Sequence, residues 1–288
     1  MAKAAAKKKH RRRTRKTQAQ RADRHELYQK SVQSPEVEIE FFSERFRELR
    51  GREPLSLRED FSGTAYLCTE WCKSHPKRRA TGVDLCADTL QWGREHNIEP
   101  AGPEVARRIE LINEDVLTVR TRRHDIVCAM NFSYCLFETR ERIRAYFKNV
   151  RRGLKKDGLF FLDLLGGTAT YDVCEEEREI EGEDFTYIWE QATFNPIDHH
   201  MQCYIHFAFP DGSRLERAFE YAWRLWTIAE IRELLQEAGF SRVRIYWEEF
   251  EEDEDDPDSD YLVGTGVYRE VEEVEQQESW LCYFVAEP

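Results

Sequence analysis

Five short apolar runs punctuate residues 55–165: LSLRE (55–59), ATGVD (80–84), RIELI (108–112), DIVCAM (125–130) and LFFLDLL (159–165). Helical segments separate them, and this alternation constrains the fold more than any other feature. A strand followed by a helix and another strand builds a mostly parallel sheet with right-handed crossovers. The clearest helix spans 139–154, where Ile143, Phe147, Val150 and Leu154 share a face. Lys148, Arg151, Arg152, Lys155 and Lys156 crowd its C-terminal end, where the helix dipole favours cations. Ahead of the first run, Ser34-Pro35 is a helix start, followed by Ile39, Phe42, Phe46 and Leu49 at helical spacing.

After residue 170 the pattern changes. FTYIWEQATF (185–194), MQCYIHFAF (201–209) and RLERAFEYAW (214–223) read as three strands, the last two joined by the turn PDGS. Phe185, Tyr187 and Trp189 share one face of the first. Such an aromatic meander either covers a pocket on the α/β body or buries a core of its own. Thr227 and Glu230 form a capping box for a helix that Gly239 ends. RVRIYWEEF (242–250) and WLCYFVAE (280–287) read as the closing strands, and the Trp223/Trp226 pair reads as core, with an indole as wall of an apolar site the alternative.

The chain has 288 residues, of which 41% are hydrophobic, enough for a buried core. No run approaches the roughly 18 apolar residues of a membrane span, and the basic N-terminus lacks the apolar stretch of a signal peptide. The eight cysteines form no CxxC pair and no zinc spacing. A reduced, cytoplasmic protein without a metal is expected.

The net charge of −13 conceals a split. Eleven Lys and Arg stand against Asp23 in residues 1–24, so the remainder is far more acidic than the total. Glu248–Asp260 holds ten acids in thirteen residues. Such blocks repel themselves and stay solvated. The basic tail is a solvated arm, a phosphate-neutralising arm for nucleic acid, or a partner of the acidic loop. It carries no aromatics to stack on bases.

In an open α/β sheet, ligands bind beyond the carboxyl ends of the strands. The first strand is followed by Arg58, Glu59, Asp60, Phe61, Ser62, Gly63 and Thr64, where Gly63 permits a tight turn and close approach by a ligand. Asp84 and Leu85 end the second, with Asp84 about 20 residues past Gly63, the separation at which an acid reaches ribose hydroxyls. Asp115 and Val116 follow the third strand, and Asn131-Phe132-Ser133-Tyr134 the fourth. The dinucleotide GxGxxG is absent, which argues against NAD or FAD.

Residues 55–165 resemble the class I S-adenosylmethionine (SAM)-dependent methyltransferases. EDFSGTA resembles the acid and glycine loop beneath the methionine part of the cofactor, with Phe61 and Ala65 where glycines are often found. TGVDL resembles the ribose-binding acid segment, NEDVL the adenine-binding one, and AMNFSY the loop lining the methyl-transfer site. LKKDGLFFLDLL resembles the fifth-strand block. Asn131–Tyr134 is also similar to the Asn-Pro-Pro-Tyr motif of amino-methylating nucleic-acid enzymes, without its prolines.

The resemblance implies a Rossmann-like, mostly parallel seven-stranded sheet ending in an antiparallel hairpin, with the meander inserted. It implies a tail over residues 1–25, cap helices over 26–54, and a methyltransferase domain over 55–288, with the insertion near 180–225 and the acidic loop at 248–260. SAM is the implied cofactor, held by Arg58, Glu59, Asp60, Gly63, Thr64, Asp84, Leu85, Asp115, Val116, Asn131 and Phe132, with either Glu59 or Asp60 as the key acid. Asn131, Tyr134 and His206 are the catalytic candidates, His206 as proton acceptor or as a satisfied structural residue. Tyr28, Tyr134 and Trp189 are the substrate candidates, with Tyr28 and Gln33 on a segment folding over the cofactor. The expected activity is methylation of nitrogen or oxygen in a small molecule. The alternatives are methylation of RNA or a translation-related protein through the basic tail, and a non-catalytic module that binds the cofactor.

Overall fold

The computed structural model describes residues 16–252 and 262–288. In chain order the elements are α1 (Arg24–Val32), α2 (Pro35–Arg50), β1 (Ser56–Asp60), α3 (Tyr66–Ser74), β2 (Arg79–Val83), α4 (Ala87–Gly93), α5 (Pro103–Ala106), β3 (Ile109–Ile112), β4 (His124–Ala129), α6 (Arg140–Gly153) and β5 (Leu154–Gly166). There follow β6 (Cys174–Glu179), β7 (Thr186–Phe194), β8 (His200–Ala208), β9 (Arg214–Arg224), α7 (Ile228–Glu237), β10 (Arg242–Glu252), β11 (Leu262–Val271) and β12 (Trp280–Glu287).

The main sheet has the order β11-β10-β12-β5-β4-β1-β2-β3. β1 to β5 pair in parallel, whereas β12 is antiparallel to both β5 and β10. Five apolar runs become five parallel strands; the four inner ones lie between helices, and a strand covered on both faces needs no polar alternation, whereas β3 is the partly exposed edge. One apolar cluster packs Phe42 and Phe46 of α2 and Leu67 and Trp71 of α3 on one face of the sheet. The other packs Ile143 and Phe147 of α6 and Leu234 and Leu235 of α7 on the opposite face. The capping box at Thr227/Glu230 is formed, and Gly239 takes the left-handed conformation after α7 (φ 101°). Ser34 precedes α2 as expected, but its side chain makes no capping bond.

The structure enlarges the expected architecture in two places. The main sheet gains an eighth strand, β11, antiparallel to β10. The insertion has four strands in the order β6-β7-β8-β9, because the charged segment CEEERE joins its edge as β6. Both additions are edge strands, where the outer side needs no apolar residues and charge discourages further pairing. The insertion packs on two sides: Met201 and Cys203 join the main cluster, while Phe185, Ile205, Phe207 and Ala218 form a smaller cluster completed by Leu27 of α1. It is therefore a cover.

Two expected boundaries move. The acidic loop expected from residue 248 begins later, because Glu248–Glu252 complete β10. The basic tail was drawn to residue 25, but Gln18 N donates to Asp211 Oδ2 (2.8 Å) and Ala19 N to Ser213 Oγ (3.1 Å), which ties this stretch to the turn between β8 and β9. The rest of both charged blocks, residues 1–15 and 253–261, lies outside the described residues. Among the described residues no helix is long and apolar enough to cross a membrane.

Candidate functional site

The sheet reverses its order between β1 and β4, and the loops after β1, β2, β3 and β4 converge there on a cavity of about 490 Å³. Glu59, Asp60, Gly63, Thr64, Asp84, Leu85, Asp115, Val116 and Asn131 all line it, as does Tyr28 from α1.

The loop after β1 is a left-handed turn with three positive φ values: Phe61 (58°), Gly63 (51°) and Ala65 (54°). Only one of these is glycine, so the backbone keeps a glycine-loop course at a cost of roughly 1 kcal/mol for each side chain held there. Neighbouring elements enforce the course. Ser62 N donates to Val83 O (3.0 Å), Gln29 Nε2 to Thr64 Oγ1 (2.7 Å) and Asn97 Nδ2 to the Thr64 carbonyl (2.9 Å). α4 lies so close that a Cβ on Gly93 would fall 2.1 Å from Thr64 O. A Cβ on Gly63, by contrast, would meet no protein atom. The open space above Gly63 is cavity.

The acids divide by function. Asp60 is 1% exposed and is consumed by Arg58, whose Nε and Nη2 donate at 2.7 and 3.1 Å, and by the Tyr146 hydroxyl at 3.0 Å. Burial raises its pKa, and Arg58 opposes that shift. Arg58 itself therefore holds an acid and does not reach the cavity. Glu59 accepts the Cys68 N–H at 3.2 Å, capping the first turn of α3, and has no cationic partner among the described residues. Burial pushes it up to about 8. Of the two acids, Glu59 is the one available to a ligand.

Asp84 accepts Gly63 N through Oδ2 and Cys86 N through Oδ1, both at 2.8 Å. Each carboxylate oxygen keeps acceptor capacity for a further donor. Asp115 accepts Leu117 N (2.8 Å) in the same manner. Leu85 is 69% exposed beside the cavity, while Val116 is buried against it.

Asn131 and Phe132 are consecutive left-handed residues (φ 57° and 55°). Their N–H groups donate to the two oxygens of Asp163, at 2.7 and 3.0 Å. Asp163 projects from near the C-terminal end of β5 and is 4% exposed; burial raises it to about 7, against the pull of those two N–H groups.

Besides Arg58, four of the expected site residues are not on the cavity. Tyr134 is fully buried, and its hydroxyl donates to the Asp163 carbonyl (2.6 Å), so it is a strut. His206 lies on β8 between Glu190, 2.8 Å from its Nε2, and Glu216; Arg217 N donates to its Nδ1 (3.1 Å). That environment is structural. Phe132 turns its ring edge-on to Trp223. Trp189 stands behind the wall, its ring centre 6.1 Å from that of Tyr221 and 5.9 Å from that of Trp223.

The wall itself comes from residues the sequence reading passed over: Arg24 and His25 of α1, Phe219 and Tyr221 of β9, and Arg142 of α6. Trp223 also lines it, whereas Trp226 is core. Gln33 lines the cavity as expected, and its Oε1 is buried without a partner. Alternation along β9 signals that Phe219, Tyr221 and Trp223 share a face. Nothing local signals Arg24 or His25, which arrive by tertiary packing of α1.

No family model matches the chain, and no curated protein matches it. Solved structures do. A SAM-dependent methyltransferase from Clostridium acetobutylicum is similar over 91% of this chain and 96% of its own, with TM-score 0.66 and 16% identity. SAM-bound CalS10, an amino pentose methyltransferase from Micromonospora echinaspora, matches over 92% and 96%, with TM-score 0.61 and 13% identity. The sugar N-methyltransferase KedS8 from Streptoalloteichus matches over 92% of each chain, with TM-score 0.58 and 16% identity. The fold is that of a class I methyltransferase. In this methyltransferase fold the inserted sheet and α1 roof the strand tips.

Proposed function

We propose that the chain transfers a methyl group from SAM to a nitrogen or oxygen of a compact small molecule. The observation that carries this reading is the composition of the cavity: acids and a bare glycine turn at the strand tips, walled on the other side by Tyr28, Phe219, Tyr221 and Trp223. An aromatic roof suits an enclosed acceptor, and similar structures named as sugar or amino pentose methyltransferases support the same class.

The residues present fit the cofactor. The space above Gly63 admits a chain that a side chain would block. Asp84 suits ribose hydroxyls, Asp115 an exocyclic amine, and Leu85 and Val116 the faces of a base. Glu59 and the orphaned Gln33 Oε1 suit an ammonium group. When bound, SAM supplies an electrophilic methyl group on a sulfonium that leaves as a neutral thioether. The protein's work is alignment and exclusion of water, because in-line transfer needs reacting atoms about 3–3.5 Å apart. His25 lines the cavity, and burial and the neighbouring Arg24 lower its pKa, which suits it to receive the acceptor's proton. His25 takes the role first expected of His206. All eight cysteines are free thiols, which suits a reducing, cytoplasmic compartment.

Calorimetry with SAM tests the cradle. Asp84→Ala should weaken binding by roughly 1.5–3 kcal/mol, since charged hydrogen bonds to the ribose are lost. Unchanged affinity would remove this assignment, and no binding by the intact chain would leave a non-catalytic module. Tritiated methyl uptake by small amines and alcohols, set against RNA and ribosomal protein, tests the acceptor class. Uptake into RNA that disappears on deleting residues 1–15 would replace the small-molecule reading.

A further inference from the structure

We propose that Asp163 is a positioning residue for methyl transfer: by accepting the N–H groups of Asn131 and Phe132, its carboxylate holds the loop after β4 in the left-handed course that sets Asn131 against the reacting group. The proposal rests on the methyltransferase reading, which places the loop after β4 at the transfer end of the cavity.

A buried carboxylate on a central strand has a large desolvation cost and persists only where its hydrogen bonds compensate. Asp163 sits among Phe160, Phe161, Leu162 and Leu164, all fully buried. Its position explains its presence. Ala129, the last residue of β4, is in register with Leu162 of β5, so Asp163 lies one residue beyond the end of its neighbour strand. There the chain leaves the ladder, and two successive N–H groups face β5 with no strand carbonyl to receive them. Asp163 takes one on each carboxylate oxygen, and its own carbonyl takes the Tyr134 hydroxyl. One residue of β5 thus grips the loop at three points. Asn131 faces the cavity while Phe132 turns onto Trp223, a division that requires both residues to stay left-handed. Side chains rarely adopt that conformation singly, and two in succession need an external restraint.

Asp163→Asn tests this directly. The amide keeps the size of the side chain but presents an NH₂ group to one of the two N–H donors. Calorimetry would use two probes: S-adenosylhomocysteine, which carries nothing at the methyl position, and sinefungin, whose amine stands there. Losing a charge-assisted bond at the loop should weaken sinefungin roughly tenfold and S-adenosylhomocysteine less than about threefold. Adding Phe132→Gly to Asp163→Asn should restore most of the sinefungin loss, since glycine adopts the left-handed course unaided. Should Asp163→Asn not fold, Phe132→Val in the native background probes the same conformation, because a β-branched residue resists it, and the same selective loss is expected. Equal weakening of both probes, or no change in either, would overturn the positioning role. Failure of the native protein to bind either probe would instead sink the methyltransferase reading.

Discussion

Two loops at neighbouring strand tips reach the same backbone conformation by different means. The turn after β1 places Phe61, Gly63 and Ala65 in the left-handed region and is held from several directions, by Val83, Asp84, Gln29 and Asn97. The turn after β4 places Asn131 and Phe132 there, and one carboxylate holds the N–H groups of both, with the Tyr134 hydroxyl and local bonds from Ser133 and Cys135 beside it. The first is redundant and should tolerate the loss of any one tie. The second relies on one carboxylate for both left-handed N–H groups and should fail selectively when it is lost.

The largest expected effect lies beneath the first loop. Arg58→Met leaves Asp60 buried without its cation, and breaking such a pair costs about 3–5 kcal/mol, readable by urea unfolding. A loss below about 1 kcal/mol would mean that Tyr146 and the cavity already suffice for Asp60. Next is the pH dependence. Burial raises Glu59 to about 8 and Asp163 to about 7, so the folded protein keeps protons that the unfolded chain has released. The contribution of these groups to stability therefore falls as pH rises from about 4 to about 8. Thermal unfolding should show it, and Glu59→Gln should flatten the slope; an unaltered slope would show that Glu59 ionises normally.

Smaller effects separate backbone strain from space. Gly63→Ala introduces a side chain at φ 51° with no protein contact, so stability should drop by about 1 kcal/mol while the methyl intrudes on the cavity. Ala65→Gly relieves a similar strain but removes a fully buried methyl worth about 0.8 kcal/mol, so the net change should be near zero. If the two substitutions behaved alike, the redundancy of the first loop would be in doubt.

The comparison also explains what could be read from the sequence. Gly63, Asp84, Asp115 and Asn131 follow apolar runs, and the strand order gathers them, so their convergence on one cavity is legible in the sequence. Which way a side chain leaves its strand or loop was not. Tyr134 and His206 sit in suggestive segments, yet one donates into the core and the other is held between two glutamates. Asp163 carried a signal, a lone carboxylate inside LFFLDLL, that strand periodicity passed over. β6 offered none, since an exposed edge strand of glutamates has no apolar period. The roof depended on long-range docking of α1, which local patterns do not encode.

The bonds from Gln18 and Ala19 to Asp211 and Ser213 join segments almost two hundred positions apart and touch no part of the cavity. They fasten the segment ahead of α1 to the far turn of the inserted sheet, so the two elements that cover the strand tips are tied to each other at a point away from the cavity.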